Sequence, residues 1–214
     1  MWVKEIWRYP VKSMAGERLE SAVLGEAGVE GDRILQVRSE AGKVMTARTR
    51  PLLLRHSAKL GADGEPLVDG RLWTRADVAR DVVAAAGAGM RLVAAEVERR
   101  FDILPLLVVT DGALAAVGYG VRRFRPNLVI GGVPGLAERE WEGAMLRIGD
   151  VVIGMEDLRA RCIMTTFDPD SGVQDVAVLQ RVRREFGGEL GLNSLVAHPG
   201  RLSVGDPVEL IRPA

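Results

Sequence analysis

The chain has 214 residues, of which 47% are hydrophobic and 27% are charged, a balance that excludes long disordered stretches. Lysine and arginine number 29, as do aspartate and glutamate, so the overall charge favours neither nucleic acid nor a membrane surface as a partner. The N-terminal residues carry charges where a signal peptide needs an apolar core, and no apolar run approaches the roughly 20 residues that cross a bilayer. The lone cysteine, Cys162, cannot form an internal disulfide. These features predict a cytoplasmic protein that does not act at a membrane.

Most of the predicted elements are strands, because short apolar runs are bounded by many glycines and prolines. In chain order the predicted strands are 3–9, 35–38, 44–46, 52–60, 145–148, 151–155, 194–197 and 208–211. The second and third strands are joined by a short turn, as are the fifth and sixth, and each pair predicts a hairpin.

Three helices are predicted. The first begins near Thr74, with Asp77 three residues later as in a capping box, and ends near Gly87. A short helix over 113–117 follows Thr110, and the longest spans 176–186. Strands outnumber helices, so the sequence predicts a mostly β, α+β fold. We expect two halves that share a core, 1–92 and 93–214, with the seam between residues 87 and 100.

Four stretches combine cationic, hydroxyl, amide or thiol side chains with turn residues: 9–13, 30–33, 124–127 and 161–172. Each also has an ordinary structural interpretation. Lys12 can belong to a solvated turn, Arg33 to a surface ion pair, Arg125 to a loop, and Cys162 can be a small buried hydrophobe. The segment 168–172 places Pro and Gly where a tight turn needs them, so it predicts a turn before a site.

Taken together, these stretches resemble the MOSC family, and more narrowly the amidoxime-reducing components and their bacterial relatives. The resemblance is carried, in family order, by Tyr-Pro-Val-Lys-Ser at 9–13, Asp-Arg at 32–33, Thr-Ala-Arg at 46–48, Arg-Pro-Asn at 125–127, Arg-Cys-Ile at 161–163, Thr-Thr-Phe-Asp-Pro-Asp-Ser-Gly at 165–172, Pro-Gly at 199–200 and Val-Gly-Asp-Pro-Val at 204–208. It covers nearly the whole chain, and the cysteine segment is its most specific element.

The resemblance implies a MOSC-like β-barrel core, with a β-rich N-terminal half of the MOSC-associated type, that binds the molybdenum cofactor (Mo-molybdopterin). It implies that Cys162 coordinates the metal, as a catalytic residue, and that Asp102 lies near the metal and orients bound water. The residues it assigns to the pterin and its phosphate are Lys12, Ser13, Arg33, Arg125, Asn127 and Arg161.

The chemistry agrees with that assignment, because molybdenum suits sulfur ligands and arginines suit a phosphate. The chain also departs from the family. Ile103 and Leu104 stand where relatives have hydroxyl residues, and Ala160 replaces a serine. A basic stretch that some relatives carry is reduced here to Arg99 and Arg100.

The leading hypothesis is therefore a molybdenum-dependent oxidoreductase that removes oxygen from N-hydroxylated or N-oxide small molecules. One cysteine cannot hold an iron–sulfur cluster, so electrons would come from a separate flavin, ferredoxin-like or haem protein. Two alternatives stay open: sulfur transfer through a Cys162 persulfide, and a non-catalytic carrier of the cofactor. His56 and His198 lack the spacing of a metal pair and are expected to be structural.

Overall fold

The computed structural model describes residues 1–97 and 100–212. Within these ranges the strands are, in chain order, β1 (Trp2–Arg8), β2 (Glu17–Leu19), β3 (Ser21–Gly25), β4 (Gly28–Val29), β5 (Leu35–Ser39), β6 (Val44–Met45), β7 (Ala58–Leu60), β8 (Pro66–Val68), β9 (Arg71–Leu72), β10 (Met90–Ala94), β11 (Leu106–Thr110), β12 (Leu128–Gly131), β13 (Met145–Ile148), β14 (Val151–Ala160), β15 (Glu189–His198), β16 (Gly200–Ser203) and β17 (Glu209–Ile211).

The α-helices are α1 (Ala76–Ala86), α2 (Asp111–Val117), α3 (Val121–Phe124) and α4 (Ala177–Phe186). Short 3-10 helices lie at Pro51–Arg55, Ala137–Glu140 and Ile163–Thr166. In the described part of the chain, no helix combines the length and the apolar character that a membrane span requires. The predicted mostly β, α+β fold is confirmed.

The largest sheet has eight strands in the order β17-β13-β14-β15-β11-β12-β1-β2. Its neighbours are antiparallel except for β11 and β12, which run parallel. The smaller sheets are β10-β5-β6, β16-β3-β4 and β7-β8-β9. The N-terminal strand β1 therefore lies inside the large sheet, beside a strand that belongs to the C-terminal half.

Backbone hydrogen bonds join β1 to the turn that precedes β17, the strand at the other end of the large sheet. The amide of Val3 donates to the carbonyl of Asp206 at 2.9 Å, and the amide of Gly205 donates to the carbonyl of Val3 at 2.8 Å. Trp2 forms an isolated bridge with Pro207, which has no N–H to extend the pairing. Among the described strands β17 pairs only with β13 and no closed barrel is formed, so the predicted barrel is not confirmed.

The core consists of several apolar clusters. The largest contains Val3 and Ile6 of β1 together with Leu128 of β12 and Ile153 of β14, all fully buried. A second cluster lies wholly in the N-terminal part and contains residues of α1 and β5, such as Val82 and Val37. Apolar burial of this kind contributes most of the stabilising free energy of the fold.

The structure confirms the predicted strand at 3–9 and both predicted hairpins, β5–β6 and β13–β14. The predicted strand at 52–60 is wrong over most of its length, since Pro51–Arg55 is a 3-10 helix. Pro51 fixes a backbone angle suited to a first helical turn. Leu53 and Leu54 are both buried, whereas neighbouring residues of a strand point to opposite faces.

All three predicted helices are present, but one of the predicted helix caps is wrong. The Thr110 hydroxyl accepts a hydrogen bond from the amide of Ala113 at 3.0 Å at the start of α2, as expected. In contrast, Thr74 does not cap α1, which begins after Arg75 without a side-chain cap. Helix α4 buries the predicted apolar face: Val178, Leu179, Val182 and Phe186.

Candidate functional site

A cavity of about 380 Å³ lies among the segments that follow β1 and β14 and those that precede β11 and β12. All eight residues predicted for the site line this cavity: Lys12, Ser13, Arg33, Asp102, Arg125, Asn127, Arg161 and Cys162. They are spread over 150 positions of sequence, from 12 to 162, and the fold brings them together. The sequence thus identified which segments meet.

Asp102 is held by two cations on one side of the cavity. Lys12 Nζ lies 2.6 Å from Asp102 Oδ1, and a guanidinium nitrogen of Arg48 contacts Asp102 Oδ2. Lys12 also donates to the carbonyl of Arg100 at 3.2 Å. Burial acts to raise the pKa of Asp102, but Lys12 and Arg48 outweigh burial and lower it below the usual range. The carboxylate is therefore kept ionised.

Cys162 follows β14 directly and begins the 3-10 helix Ile163–Thr166. The residue is partly buried, and its carbonyl accepts a hydrogen bond from the Thr165 hydroxyl at 2.9 Å. Burial acts to lower the pKa of Arg48, whereas the nearby Cys162 and Asp102 side chains raise it above its usual range. Arg48 is thus the cation shared by Cys162 and Asp102.

Three residues lining the cavity have the left-handed backbone conformation that favours glycine: Ser13 at φ 72°, Arg33 at φ 51° and Arg125 at φ 56°. Asp69 is the other described non-glycine residue with positive φ. Such conformations cost free energy and concentrate at functional sites. Ser13 is fixed in place because its hydroxyl accepts the amide of Ala47 at 3.0 Å.

A buried network below the cavity is centred on Asp32, which is 1% exposed. Its carboxylate accepts hydrogen bonds from the amide of Tyr9 at 2.6 Å and from Asn127 Nδ2 at 3.0 Å, and it pairs with Arg33. Asn127 Oδ1 accepts from the amide of Leu107 at 3.2 Å. The Asn127 side chain is therefore engaged within the fold, and it positions Arg33 and the start of β11.

Arg125 stacks on the neighbouring aromatic ring. Its guanidinium carbon lies 4.3 Å from the ring centroid of Tyr9, a cation–π contact. The Tyr9 hydroxyl donates to the carbonyl of Pro126 at 3.1 Å. Burial lowers the pKa of Arg125 to about 10 and raises the pKa of Tyr9. No carboxylate of the described residues lies within 4.0 Å of Arg125.

Arg161 is a cavity cation whose buried guanidinium is only partly hydrogen-bonded. Its Nη2 donates to the carbonyl of Phe124 at 2.5 Å, but its buried Nε and Nη1 have no hydrogen-bond partner in the described structure. Burial, followed by repulsion from Arg159, lowers the pKa of Arg161 to about 10. Buried donors without acceptors are rare in folded proteins, so this guanidinium indicates a position for an anion.

Sequence reasoning did not assign site roles to several cavity residues. Arg48 belongs to the Thr-Ala-Arg motif at 46–48, which was noted only as part of the resemblance. Arg159 lies on β14 and donates to Asn193 Oδ1 on β15 at 2.9 Å. Arg123 donates to the carbonyl of Thr166 at 3.0 Å and thereby holds the cysteine segment. No local sequence pattern marks Arg159 or Asn193.

The segment that follows the cysteine is a turn, as predicted. Asp168 Oδ1 accepts the amides of Asp170 at 3.1 Å and Ser171 at 2.9 Å, and Asp168 Oδ2 accepts from Arg123 at 3.0 Å. These bonds, with burial acting in the opposite direction, lower the pKa of Asp168. The turn is therefore a support for the cysteine segment.

The described residues contain no group of three or more His, Cys, Asp or Glu side chains arranged to hold a metal ion. His56 Nδ1 lies 2.7 Å from Asp69 Oδ2, outside the cavity, and His198 ends β15. A metal in the cavity would thus have Cys162 as its thiolate ligand and would need its other ligands from a cofactor. Of the two basic residues noted at the seam, Arg99 lies outside the described residues.

Family models agree with this combination of fold and site. Residues 94–209 match the model described as the MOSC domain, and residues 1–98 match the MOSC N-terminal beta barrel domain. The chain therefore belongs to the MOSC family.

Among its relatives is the mitochondrial amidoxime-reducing component 1 of Homo sapiens, with 27% identity over 98% of this chain and 82% of that protein. The protein of the same name from Mus musculus is 26% identical over the same shares. The molybdenum cofactor sulfurase 2 of Culex quinquefasciatus is 34% identical over 40% of this chain and 11% of that protein.

A crystal structure of the YuaD protein from Bacillus subtilis resembles this fold with a TM-score of 0.55. The match covers 100% of both chains at 14% sequence identity. At that identity the likeness concerns the fold alone.

Proposed function

We propose that this chain is a molybdenum-cofactor-dependent oxidoreductase that reduces N-hydroxylated or N-oxide compounds. The observation that carries the proposal is the composition of the cavity. The one thiol of the chain lies in a cavity lined by cations, and Arg161 has two buried nitrogens without an acceptor. A soft thiolate suits molybdenum, and guanidinium groups suit the phosphate of a pterin cofactor.

The residues present fit such a cofactor. Cys162 would ligate the metal, while Arg125 and Arg161 offer guanidinium groups that have no carboxylate partner among the described residues. Lys12 and Ser13 lie in the same turn after β1, and Arg33 forms an ion pair with Asp32. These residues would hold the pterin and its phosphate. The bound cofactor would supply two-electron redox chemistry.

Overall, the N–O bond of the substrate breaks, two electrons and two protons are added, and the products are the reduced nitrogen compound and water. Asp102 is kept ionised by Lys12 and Arg48, so it would accept a hydrogen bond from the substrate hydroxyl or from water. The electrons would come from a separate flavin, ferredoxin-like or haem protein, since a single cysteine cannot bind an iron–sulfur cluster.

The test is the molybdenum and pterin content of protein purified from a host that makes the cofactor. We expect nearly stoichiometric molybdenum in the wild type and its loss in Cys162→Ala and Cys162→Ser, with the serine variant testing whether the soft sulfur is required. Arg147→Gln is the control, because Arg147 pairs with Glu209 at 3.3 Å and neither residue lines the cavity. It should retain wild-type metal content.

Wild-type protein that contains neither molybdenum nor pterin would contradict the proposal. Two other functions would then be separated by the same preparation. An added sulfur atom on Cys162 in the mass spectrum would favour sulfur transfer. Loosely held cofactor that passes to an acceptor protein, without reduction of any N-hydroxylated substrate, would favour a carrier.

A further inference from the structure

Arg159 is a cation that none of the preceding assignments uses. It projects from β14 into the cavity, and its Nη1 donates to Asn193 Oδ1 at 2.9 Å. Asn193 is 2% exposed and is itself fixed because its Nδ2 donates to Asp157 Oδ1 at 3.1 Å. A buried neutral amide thus orients the guanidinium without neutralising its charge.

No carboxylate of the described residues lies within 4.0 Å of Arg159. The carboxylate of the cavity, Asp102, is already engaged by Lys12 and Arg48. Burial has the largest effect on the pKa of Arg159 and lowers it, whereas Asp102 and Cys162 act to raise that pKa and Arg33 and Arg48 act to lower it. A partly desolvated cation held in one orientation without a counter-ion is suited to bind an anion.

Arg159 interacts electrostatically with two of the cations assigned to the cofactor phosphate, Arg33 and Arg161, but its other charged neighbours differ from those of Arg125. It interacts electrostatically with Cys162 and Asp102, whereas Arg125 interacts with Tyr9, Arg33 and Asp32. The register of β14 and β15 shifts on both sides of Leu158, and such bulges redirect side chains. Arg159 therefore lines the same cavity as Cys162 and Asp102, the two residues that would face a substrate.

Part of the cavity lining is apolar. Ile103 and Leu104 line the cavity, and Ile103 is 55% exposed. Ala160, next to Arg159, is exposed and also lines the cavity. None of these side chains can hydrogen-bond to a polar substrate body, and apolar surface favours an apolar ligand.

We propose that Arg159 recognises a carboxylate on the substrate, so that the substrate is an N-oxygenated compound with an apolar body and a carboxylate group. This inference rests on the proposed reductase function and names the substrate class of the same site. Arg159 is the residue that determines specificity, Asn193 positions it, and Ile103 and Leu104 contact the apolar body.

The test compares benzamidoxime with 4-carboxybenzamidoxime, which differ only in the carboxylate. The wild-type holoprotein, Arg159→Gln and the control Arg147→Gln are assayed with a chemical electron donor. We expect the wild type to prefer the carboxylated substrate in kcat/KM by at least about tenfold, and Arg159→Gln to lose that preference. The rate with neutral benzamidoxime should change less than about threefold, and Arg147→Gln should match the wild type.

Equal kcat/KM for the two substrates in the wild type would overturn the inference. A variant that loses cofactor and reduces both substrates equally poorly would overturn it too, because Arg159 would then serve the cofactor. If the holoprotein reduces neither substrate, the reductase proposal fails. In that case calorimetric titration of the same holoprotein tests the inference about Arg159. The inference requires that 4-carboxybenzamidoxime bind more tightly than benzamidoxime, and that Arg159→Gln abolish this difference in affinity.

Discussion

The cations that line the cavity form two groups that differ in their partners. Each member of the paired group contacts a carboxylate: Lys12, Arg33, Arg48 and Arg123. Members of the unpaired group have no carboxylate within 4.0 Å among the described residues, and contact only aromatic rings, carbonyls or an amide: Arg125, Arg159 and Arg161.

From this difference we infer that the paired group stabilises the cavity and that the unpaired group is available to bind an anion. When one member of a buried ion pair is removed, the other charge stays buried without a partner, and the folded state loses stability. A buried charge without a partner lowers stability until an anion binds. The paired group should therefore respond to mutation with lost stability, and the unpaired group with lost ligand binding.

The largest effect on stability is expected at Asp32. Replacing it in Asp32→Ala leaves Arg33, the amide of Tyr9 and Asn127 without their acceptor. We expect the free energy of unfolding of the cofactor-free protein to fall by about 3–5 kcal/mol, measured by urea denaturation.

The matched control is Asp170→Ala. Asp170 pairs with Arg122 at 2.7 Å, but its side chain is 73% exposed, so the loss should stay below about 1 kcal/mol. If the two variants lose similar stability, the buried network at Asp32 does not hold the cavity together and the comparison fails.

The opposite sign is expected in the unpaired group. Arg161→Met removes a cation with two unpartnered buried nitrogens and leaves the stem volume largely filled. Its hydrogen bond to the Phe124 carbonyl is lost, which offsets part of the gain. We expect the cofactor-free protein to become more stable by about 1 kcal/mol, whereas Arg147→Met at the surface should stay within about 0.5 kcal/mol of the wild type.

Adding inorganic phosphate gives a second test of the role of Arg161. It should raise the melting temperature of cofactor-free wild-type protein, because an anion that binds only the folded state stabilises it. Arg161→Met should lose most of that rise. A variant that is less stable than the wild type and equally stabilised by phosphate would show that Arg161 is a structural cation.

The sequence predicted those features of the fold and of the cavity that depend on a local pattern of residues. The helical spacing in 176–186 predicted α4, which buries one face. The apolar residues in 3–9 predicted β1, although its buried residues Val3 and Ile6 do not alternate, because the register shifts between Val3 and Glu5. The family motifs contain seven of the eight predicted cavity residues, and the wider resemblance added Asp102. The roles of these residues and the division at 92/93 stay predictions.

What could not be predicted depends on pairing between distant segments. Arg159 and Asn193 meet only because β14 pairs with β15 through an irregular register. The sequence shows the charge of Arg125 but not that its guanidinium faces a ring instead of a carboxylate. Strands of two or three residues, such as β4 and β9, are too short to show a period.

The smallest effect, and the most selective, is expected from pH at Asp102. Its pKa is lowered in the folded protein, where Lys12 and Arg48 outweigh the opposing effect of burial. A carboxylate with a lowered folded pKa stabilises the protein above its unfolded pKa of about 4, and this contribution is lost as the pH falls through the folded pKa.

Asp102→Asn should therefore be less stable than the wild type between about pH 5 and 7, and the difference should disappear as the pH falls below about 4. The difference should stay below about 1 kcal/mol, because the side chain is 31% exposed and solvent screens the pair. In an Arg48→Gln background the effect should shrink without vanishing, since Lys12 remains 2.6 Å from the carboxylate. A stability difference that persists unchanged at pH 3 would show that Asp102 contributes through packing or neutral hydrogen bonds, and would remove it from the paired group.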